Sequence, residues 1–325
     1  MEKTKSLITG TTGMVGSHLA EYLLEKGEEV YGTRRWRSKM DNCKGFEDKI
    51  AWVNMELIDA HSVRNAIEAV KPDVIYHLAA QSYVVDSRDE PAATIVINTL
   101  GTLHILETVK EMKKREGYNP IIHVCSSSEV YGQVKKEEAP ITEDNQYRPA
   151  SPYAIGKLGA DMLARWYYEE YGIKTIRTRM FTHTGPRRGD VFVVSAFAKQ
   201  IARIEKSLQE PILKVGNLDS VRTFADVRDT VQAYYLLTKH CKPGEVYNIG
   251  GKRTMKIREM LEILLSFSPL KDKIKIEVDP KLLRKTDVTY QIPDTSKFKK
   301  ETKWDSPIQL EQTLEDTLNY WREEI

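Results

Sequence analysis

A tyrosine and a lysine four residues apart are the side chains in this sequence best suited to proton chemistry. Tyr153 and Lys157 stand in a stretch whose apolar residues recur at helical spacing, so both side chains are expected on one face of a helix. A nearby ammonium lowers the pKa of a phenol, and the pair therefore predicts a tyrosine that acts as a general base near neutral pH. Taken alone, the same spacing is also found on ordinary surface helices.

Hydroxyl and carboxylate groups follow a short apolar run upstream of this pair. Residues 121–124 have the composition of a strand, and Ser127, Ser128 and Glu129 come directly after it. Because ligands of a parallel sheet bind at the carboxyl ends of its strands, these groups are expected to lie at a binding edge. Together with Tyr153 they form a candidate catalytic group.

A glycine-rich turn near the start of the chain predicts a nucleotide site. Gly10, Gly13 and Gly16 lie between a strand pattern at residues 6–9 and a helix pattern near residues 15–26. This spacing permits a tight turn, a close approach of a pyrophosphate to the helix N-terminus, and close packing of helix on strand. The alternative is a turn with a purely architectural role.

The end of the second predicted strand favours NADP over NAD. An NAD site places Asp or Glu there, whereas residues 29–33 run into a segment that contains Arg34, Arg35 and Ser38. Guanidinium and hydroxyl groups suit a 2′-phosphate. The alternatives are a solvated basic surface or a contact with a neighbouring subunit. Glu56, after the third strand, is the expected contact to the adenine.

The pattern along the whole chain predicts an α/β fold. Up to about residue 179, β-branched runs alternate with amphipathic segments, as in a doubly wound parallel sheet of the Rossmann type. Beyond it the alternation loosens, which predicts a smaller C-terminal α/β substrate lobe. We expect domains of 1–180 and 181–325 with an interleaved boundary. Helices are expected near residues 15–26, 60–70, 97–116, 152–171, 193–208, 256–267 and 308–323.

Composition argues against several classes of protein. The 325 residues include 49 basic and 47 acidic side chains, a net charge of +2 without basic runs, which argues against nucleic-acid binding. Apolar runs such as 74–80 and 261–267 are far shorter than the roughly 20 residues of a membrane span. With no secretory signal pattern, the cytoplasm is expected. Three cysteines without a CxxC spacing predict free thiols rather than a metal site or disulfides.

These motifs resemble those of extended short-chain dehydrogenases/reductases of the nucleotide-sugar epimerase/dehydratase family. Within that family the chain is most similar to GDP-mannose 4,6-dehydratases and GDP-4-keto-6-deoxy-mannose reductases. The resemblance covers essentially the whole length. The stretches that carry it are Gly10-xx-Gly13-xx-Gly16, Leu78-Ala79-Ala80, Asn98-xx-Gly101-Thr102, Ser127-Ser128-Glu129-Val130-Tyr131-Gly132, Tyr153-xxx-Lys157, and residues 185–193, 214–219 and 222–229.

The resemblance implies a role for each catalytic candidate. Ser127 would bind the sugar C4 oxygen, Tyr153 would take its proton, and Lys157 would hold the nicotinamide ribose while hydride passes from C4 to NADP⁺. In a dehydratase, Glu129 would then remove the C5 proton and help to expel the C6 hydroxyl, and the hydride would return to C6. The cofactor therefore stays bound and is not consumed. Related reductases also carry this glutamate, so Glu129 permits dehydration without proving it.

The spacing and the resemblance together give two sets of binding residues. The predicted cofactor residues are Gly10, Thr12, Gly13, Met14, Val15, Gly16, Arg34, Arg35, Ser38, Glu56, Leu57, Leu78, Ala79, Ala80, Tyr153, Lys157 and His183. The predicted substrate residues are Ser82, Ser128, Thr182, Arg187, Arg188, Val193, Lys199, Gly216, Asn217, Arg222 and Arg284. The arginines among them are expected to pair with a diphosphate. At Thr182 the sequence departs from the family, which commonly has Asn before the histidine, and this leaves the exact substrate open.

The leading functional interpretation is an NADP-dependent GDP-sugar 4,6-dehydratase, a lyase. The alternatives are a 4-reductase or 4-dehydrogenase of a GDP-linked sugar, a 4-epimerase, and a non-catalytic NADP-binding sensor on the same fold. The apolar helices at 97–116 and 152–171 resemble the paired-helix seam of the family, which predicts a homodimer or homotetramer. The alternative is that these faces only pack on the sheet.

Overall fold

The structure is a computed structural model and describes residues 3–283 and 290–325. Its strands are β1 (Lys5–Thr9), β2 (Glu29–Arg34), β3 (Ala51–Asn54), β4 (Val74–His77), β5 (Ile121–Ser127), β6 (Thr175–Met180), β7 (His183–Thr184), β8 (Ile212–Val215), β9 (Val221–Thr223), β10 (Ala225–Asp226), β11 (Val246–Ile249), β12 (Thr254–Lys256), β13 (Lys275–Val278) and β14 (Tyr290–Gln291). Its α-helices are α1 (Met14–Glu25), α2 (Ala60–Val70), α3 (Asp86–Asp89), α4 (Pro91–Ile95), α5 (Gly101–Glu116), α6 (Pro152–Tyr171), α7 (Val193–Glu205), α8 (Val227–His240), α9 (Ile257–Ser266), α10 (Ser296–Thr302) and α11 (Leu310–Glu324).

The core of the molecule is a seven-stranded sheet in the order β11-β6-β5-β4-β1-β2-β3. Every pair in it is parallel, and β4 and β6 are buried along their whole length, as in a sheet covered by helices on both faces. The chain leaves β1 toward β2 on one side and returns through β4 on the other. This reversal opens a crevice beside the end of β1, and the doubly wound sheet predicted from the sequence is confirmed.

The seventh strand comes from the C-terminal part of the chain. β11 pairs with β6 in parallel, and α8 packs through Tyr234 and Leu237 into the same core as Leu19 and Leu23 of α1. The sequence analysis missed α8, although its buried residues Val227 and Val231 lie at helical spacing. The C-terminal half therefore builds part of the central sheet as well as a lobe of its own.

The C-terminal lobe has a separate hydrophobic core. Phe197, Ile201, Leu261 and Leu314, from α7, α9 and α11, are each at most 4% exposed and belong to one cluster. The side chain of Gln200 on α7 accepts from the backbone N–H of β8 and donates to a backbone carbonyl of the same strand. α7 and β8 are thereby held side by side.

A long apolar helix flanks the sheet. α4, a π-helical turn and α5 run on as one helix, Pro91–Glu116, which is long and apolar enough to cross a bilayer. It starts earlier than the predicted residue 97, at a proline that is well suited to a first helical turn. Ile105, Leu106, Val109 and Met112 on its inner face are at most 1% exposed and pack in the core with α2 and α6. The helix is thus part of the layer that covers the sheet.

Candidate active site

A cavity of about 480 Å³ opens at the carboxyl edge of the central sheet, at the reversal beside β1. The cofactor residues predicted from the sequence all lie in its lining: Gly10, Thr12, Gly13, Met14, Val15, Gly16, Arg34, Arg35, Ser38, Glu56, Leu57, Leu78, Ala79, Ala80, Tyr153, Lys157 and His183. Parallel strands bring their carboxyl ends to one edge, and this explains why residues so far apart in the chain meet here.

The glycine turn after β1 leaves backbone exposed to this cavity. Gly10 has a φ of +74°, and a Cβ on Gly16 would lie 2.2 Å from the Gly10 carbonyl oxygen. Gly13 precedes α1 and has no side chain to cap the helix, so the N–H groups at the start of α1 stay available to a ligand. This cradle fits the pyrophosphate of a dinucleotide.

Basic and hydroxyl groups line the cavity at the end of β2. The guanidinium of Arg34 lies 5.5 Å from the ring centroid of Trp52. Arg35 and Ser38 form a turn in which the Arg35 N–H donates to the Ser38 hydroxyl at 3.1 Å and the Ser38 N–H donates to the Arg35 carbonyl at 3.0 Å. Two guanidinium groups and a hydroxyl beside the cradle fit a 2′-phosphate.

The catalytic candidates meet at the opposite end of the cavity. Ser127 is the last residue of β5, and its hydroxyl is hydrogen-bonded to the phenol of Tyr153 in the first turn of α6. The side chain of Ser151 caps the start of that helix, which fixes the phenol at the sheet edge. One turn further along, the Lys157 ammonium donates to the Cys125 carbonyl at 2.8 Å.

Burial dominates the electrostatics of this group. Burial raises the pKa of Tyr153, and the hydrogen bond to Ser127 and the charge of Arg188 counteract it. Burial also lowers the pKa of Lys157. The ammonium of Lys157, which was expected to lower the pKa of the phenol together with the positive nicotinamide, donates to the backbone of β5. Ser127 and Arg188 oppose the effect of burial, but the pKa of Tyr153 remains raised.

Glu129 lies on a 3₁₀ turn, Ser128–Tyr131, that follows β5 directly. Its N–H donates to the Ser127 hydroxyl at 3.2 Å, and its charge contributes to raising the pKa of Tyr153. The backbone of Glu129 is therefore bonded to the same hydroxyl that is hydrogen-bonded to the phenol of Tyr153. A hydroxyl, a phenol and a residue that carries a carboxylate are thus neighbours at the carboxyl edge of the sheet, and proton removal at two neighbouring carbons needs these three groups.

Two of the predicted substrate arginines take up other positions. Arg188 lines the cofactor cavity, with its guanidinium 3.5 Å from the ring centroid of Phe192, and burial lowers its pKa to about 10. Arg187 has a φ of +66°, and its side chain turns back to α1, where it forms an ion pair with Glu21 at 2.5 Å. This placement does not agree with a role of Arg187 at the substrate diphosphate.

The other predicted substrate residues are divided between the cavity rim and the second lobe. Near the cavity are Ser82, which lines it, the buried Ser128, and Thr182 between β6 and β7. In the second lobe are Val193, Lys199, Gly216, Asn217 and Arg222. Arg284 lies outside the described residues. Among the described members of the predicted set, Ser82 and Arg188 are the two that line the cavity itself.

Contacts inside the second lobe account for several of these residues. Lys199 forms an ion pair with Asp190 at 2.6 Å. A Cβ on Gly216 would lie 2.9 Å from the Leu282 carbonyl oxygen, so close packing requires glycine there. The Asn217 side chain donates to the Ser220 hydroxyl at 3.1 Å. These three residues therefore have contacts within the second lobe that do not depend on a ligand.

Eight residues that line the cavity were not among the predicted site residues, and they are Thr33, Met55, Gln81, Ile97, Cys125, Ser126, Met180 and Tyr234. Cys125 and Tyr234 both line it, with the Cys125 sulfur 3.3 Å from the Tyr234 hydroxyl oxygen. Cys125 precedes Ser127 by two residues on one strand, so the alternation of strand side chains could have placed it on the same side. Tyr234 was missed with its helix, α8. All three cysteines are free thiols, as predicted.

Comparisons with known proteins place this site in a family. A family model described as GDP-mannose 4,6 dehydratase matches residues 7–317. The GDP-6-deoxy-D-mannose reductase of Pseudomonas aeruginosa is 35% identical over 318 residues, which cover 98% of this chain and 97% of that protein. The GDP-mannose 4,6-dehydratase of Vibrio cholerae is 32% identical over 355 residues, with 97% and 93% covered.

Solved structures agree with the sequence relatives. RMD from Pseudomonas aeruginosa, complexed with NADPH, matches with a TM-score of 0.82 and 30% identity over 99% of this chain and 100% of that one. A UDP-glucose 4-epimerase from Thermotoga maritima, with UDP-glucose, matches with a TM-score of 0.86 and 26% identity over 99% of both chains. The family resemblance predicted from the motifs is confirmed, and the chain belongs to the GDP-mannose 4,6-dehydratase family.

Proposed function

We propose that this protein is a GDP-sugar 4,6-dehydratase that acts on GDP-mannose with bound NADP. The observation that carries the proposal is the position of Glu129, whose N–H is bonded to the Ser127 hydroxyl that also bonds Tyr153, because elimination needs a carboxylate in addition to the pair that removes a hydroxyl proton. Relatives described as GDP-mannose 4,6-dehydratases, 32% identical in the Vibrio cholerae case, support the same assignment.

The side chains divide the reaction into two proton transfers. Ser127 holds the C4 oxygen of the sugar while Tyr153 takes its proton, and Lys157 keeps the sheet edge and the ribose of the cofactor in place. NADP, when bound, supplies the hydride acceptor for C4 and the hydride donor for C6. Glu129 takes the C5 proton and delivers a proton to the departing C6 hydroxyl, which leaves as water. C5 is then reprotonated, which balances the proton that Tyr153 took from the C4 hydroxyl. The overall change is redox-neutral, so each bound cofactor serves many turnovers.

The choice of NADP rests on the end of β2. Arg34, Arg35 and Ser38 stand where the 2′-phosphate would lie, and all three line the cavity. Guanidinium groups pair strongly with phosphate oxygens. The similar structure of RMD, complexed with NADPH, agrees with this choice.

The second lobe, residues 181–325, is proposed to bind the nucleotide-sugar, with the domain boundary interleaved because β11 belongs to the central sheet. Arg222 on β9 is the proposed ligand of the diphosphate, with Lys199 and Asn217 as further polar contacts. Arg187 is left out of this set because of its ion pair with Glu21.

The protein is further proposed to be a cytoplasmic homodimer built on the outer faces of α5 and α6. Leu100, Ile155 and Trp166 are 40%, 49% and 46% exposed on the helical segments that would form this surface. A second copy with the same face would bury them symmetrically. Size measurement of the purified protein tests the dimer against a monomer or a tetramer.

The second candidate function is a GDP-4-keto-6-deoxy-sugar 4-reductase. It is favoured by the 35% identity to the GDP-6-deoxy-D-mannose reductase of Pseudomonas aeruginosa. The two functions differ in their use of the cofactor, because a reductase consumes one NADPH for each product whereas a dehydratase consumes none.

The deciding experiment is a mass spectrum of GDP-mannose after incubation with the protein and a trace of NADP⁺. Loss of one water from many more sugar molecules than cofactor molecules is expected. Glu129→Gln should abolish water loss and retain nucleotide binding, while Glu137→Gln, an exposed glutamate on the next 3₁₀ turn, should behave as wild type. An unchanged mass, together with oxidation of NADPH by a 4-keto-6-deoxy sugar, would establish the reductase instead.

A further inference from the structure

A buried arginine lies directly behind the catalytic group. Arg179 on β6 is fully buried, and each of its five N–H groups has an acceptor. The acceptors are both carboxylate oxygens of Asp161, the hydroxyls of Tyr131 and Tyr147, and the Glu143 carbonyl. A guanidinium whose five N–H groups all have acceptors can hold the residues around it in one geometry.

One side of this guanidinium fixes the catalytic face of α6. Tyr153, Lys157 and Asp161 follow each other at intervals of four residues and so lie along one face of that helix. Asp161 is fully buried and accepts from Arg179 Nε at 2.9 Å and from Arg177 Nη1 at 3.0 Å. The helix that carries the phenol is thereby tied to β6.

The other side fixes the turn that carries Glu129. The Tyr131 hydroxyl accepts from Arg179 Nη1 at 2.9 Å and donates to the Asn248 side-chain oxygen of β11 at 2.8 Å. Tyr131 closes the 3₁₀ turn Ser128–Tyr131, two residues after Glu129. One guanidinium therefore spans the element that carries the phenol and the element that carries the carboxylate.

We propose that Tyr131 and Arg179 are positioning residues that set the Glu129 carboxylate relative to Tyr153, so that C5 is deprotonated while C4 is held. A purely structural ion pair between Arg179 and Asp161 would not need the phenolic hydroxyl, and the ring of Tyr131 alone would fill its space against Phe181. The inference rests on the proposed dehydratase function. In this proposal, the buried network determines whether oxidation at C4 is followed by elimination across C5 and C6.

The test compares two matched tyrosine variants. Tyr131→Phe removes the hydroxyl between Arg179 and Asn248, while Tyr147→Phe removes a hydroxyl bonded to the same guanidinium, at 2.6 Å, on a segment without a catalytic candidate. Water loss and deuterium uptake at C5 from D₂O are expected to fall about tenfold or more in Tyr131→Phe, because small misplacements of reacting groups cost up to about 100-fold. Both should change less than about twofold in Tyr147→Phe.

A second readout separates positioning from general damage. Oxidation at C4 is followed as the 340 nm absorbance that appears when the NADP⁺-loaded protein meets GDP-mannose. Its amplitude should be at least that of wild type in Tyr131→Phe, because slower elimination leaves more of the cofactor reduced. The melting temperature should fall by a similar amount in Tyr131→Phe and Tyr147→Phe, because each variant removes one buried hydroxyl from the same guanidinium. In a Glu129→Gln background, Tyr131→Phe should cause no further loss of C5 exchange.

The outcomes distinguish the two proposals. A wild type that loses no water from GDP-mannose overturns the proposed function and this inference with it. If wild type removes water from GDP-mannose and Tyr131→Phe does so at the same rate, the positioning role is overturned and the proposed function stands. Equal losses of C4 oxidation, C5 exchange and thermal stability in Tyr131→Phe would also overturn it, because they indicate a structural role only.

Discussion

The end of this protein that lines the cavity and the end proposed to bind the substrate are built in different ways. At the cofactor end, residues from Gly10 to His183 line one cavity because the carboxyl ends of parallel strands meet at one edge. At the substrate end, Arg187 is paired with Glu21 and Lys199 with Asp190. Regular strand topology brings distant motifs together, whereas a lobe of short elements places each residue by its own local packing.

Buried histidines in and near the central sheet predict that the protein loses stability in acid. His77 and His123 are buried in the central sheet, and burial lowers the pKa of each to about 3. The pKa values of His18 on α1 and of His183, which lines the cavity, are lowered to about 4. The folded protein keeps these imidazoles neutral, but the unfolded chain protonates them below about pH 6.5. Stability is therefore complete above pH 6.5 and falls as the pH drops, by about 1.4 kcal/mol per pH unit for each imidazole.

Urea unfolding at pH 7, 6 and 5 measures this slope, and it is the largest effect we expect. His123→Gln should make the slope shallower, while His240→Gln, an exposed histidine at the end of α8, should leave it unchanged. A stability that stays constant from pH 7 to pH 5 would contradict the prediction.

The glycine turn gives the next effect. In Gly16→Ala the new methyl would lie 2.2 Å from the Gly10 carbonyl oxygen, whereas in Gly13→Ala the same distance is 3.4 Å. Gly16→Ala should lower the free energy of unfolding by about 2 kcal/mol, as overpacking does, and should weaken NADP binding about tenfold or more. Gly13→Ala should leave the free energy of unfolding unchanged. Equal destabilisation by both variants would show that the turn relaxes more freely than its geometry indicates.

The cofactor preference gives a smaller effect. Arg35→Ala removes one guanidinium beside the proposed 2′-phosphate position, and NADP binding should weaken about tenfold because a charge-assisted hydrogen bond contributes about 1.5 kcal/mol or more. NAD binding, measured by the same titration, should change less than about twofold, since NAD has no 2′-phosphate. An equal loss for both cofactors would show that Arg35 attracts either dinucleotide through its charge and does not recognise the 2′-phosphate.

The smallest effect is expected at Arg187, the residue whose placement contradicts the sequence interpretation. Arg187→Gln removes a partly exposed ion pair with Glu21 and should cost about 0.5 kcal/mol of stability. Its KM for GDP-mannose should stay within about twofold of wild type, while Arg222→Gln should raise KM about tenfold. A raised KM in Arg187→Gln would return this residue to the substrate site and weaken the contrast between the two ends.

The sequence supports predictions best where one local rule applies. Helices α2 and α6 begin and end where their apolar spacing indicates, and the glycine spacing indicates the cradle after β1. The orientation of Arg187 depends on a left-handed backbone angle that no spacing reveals. Ser127 and Arg188 are the groups that oppose the raised pKa of Tyr153, and the direction of the Lys157 ammonium depends on where β5 presents a carbonyl. The entry of β11 into the sheet likewise depends on long-range packing.

That late strand has a consequence for how the chain is made. During synthesis from the N-terminus, β6 emerges long before β11, and the sheet then ends in an open edge of unpaired backbone groups. The nascent protein must keep that edge from pairing with other chains until the second half has left the ribosome. The protein therefore completes its sheet only after translation has passed β11, and a truncated product ending before it would be prone to aggregate.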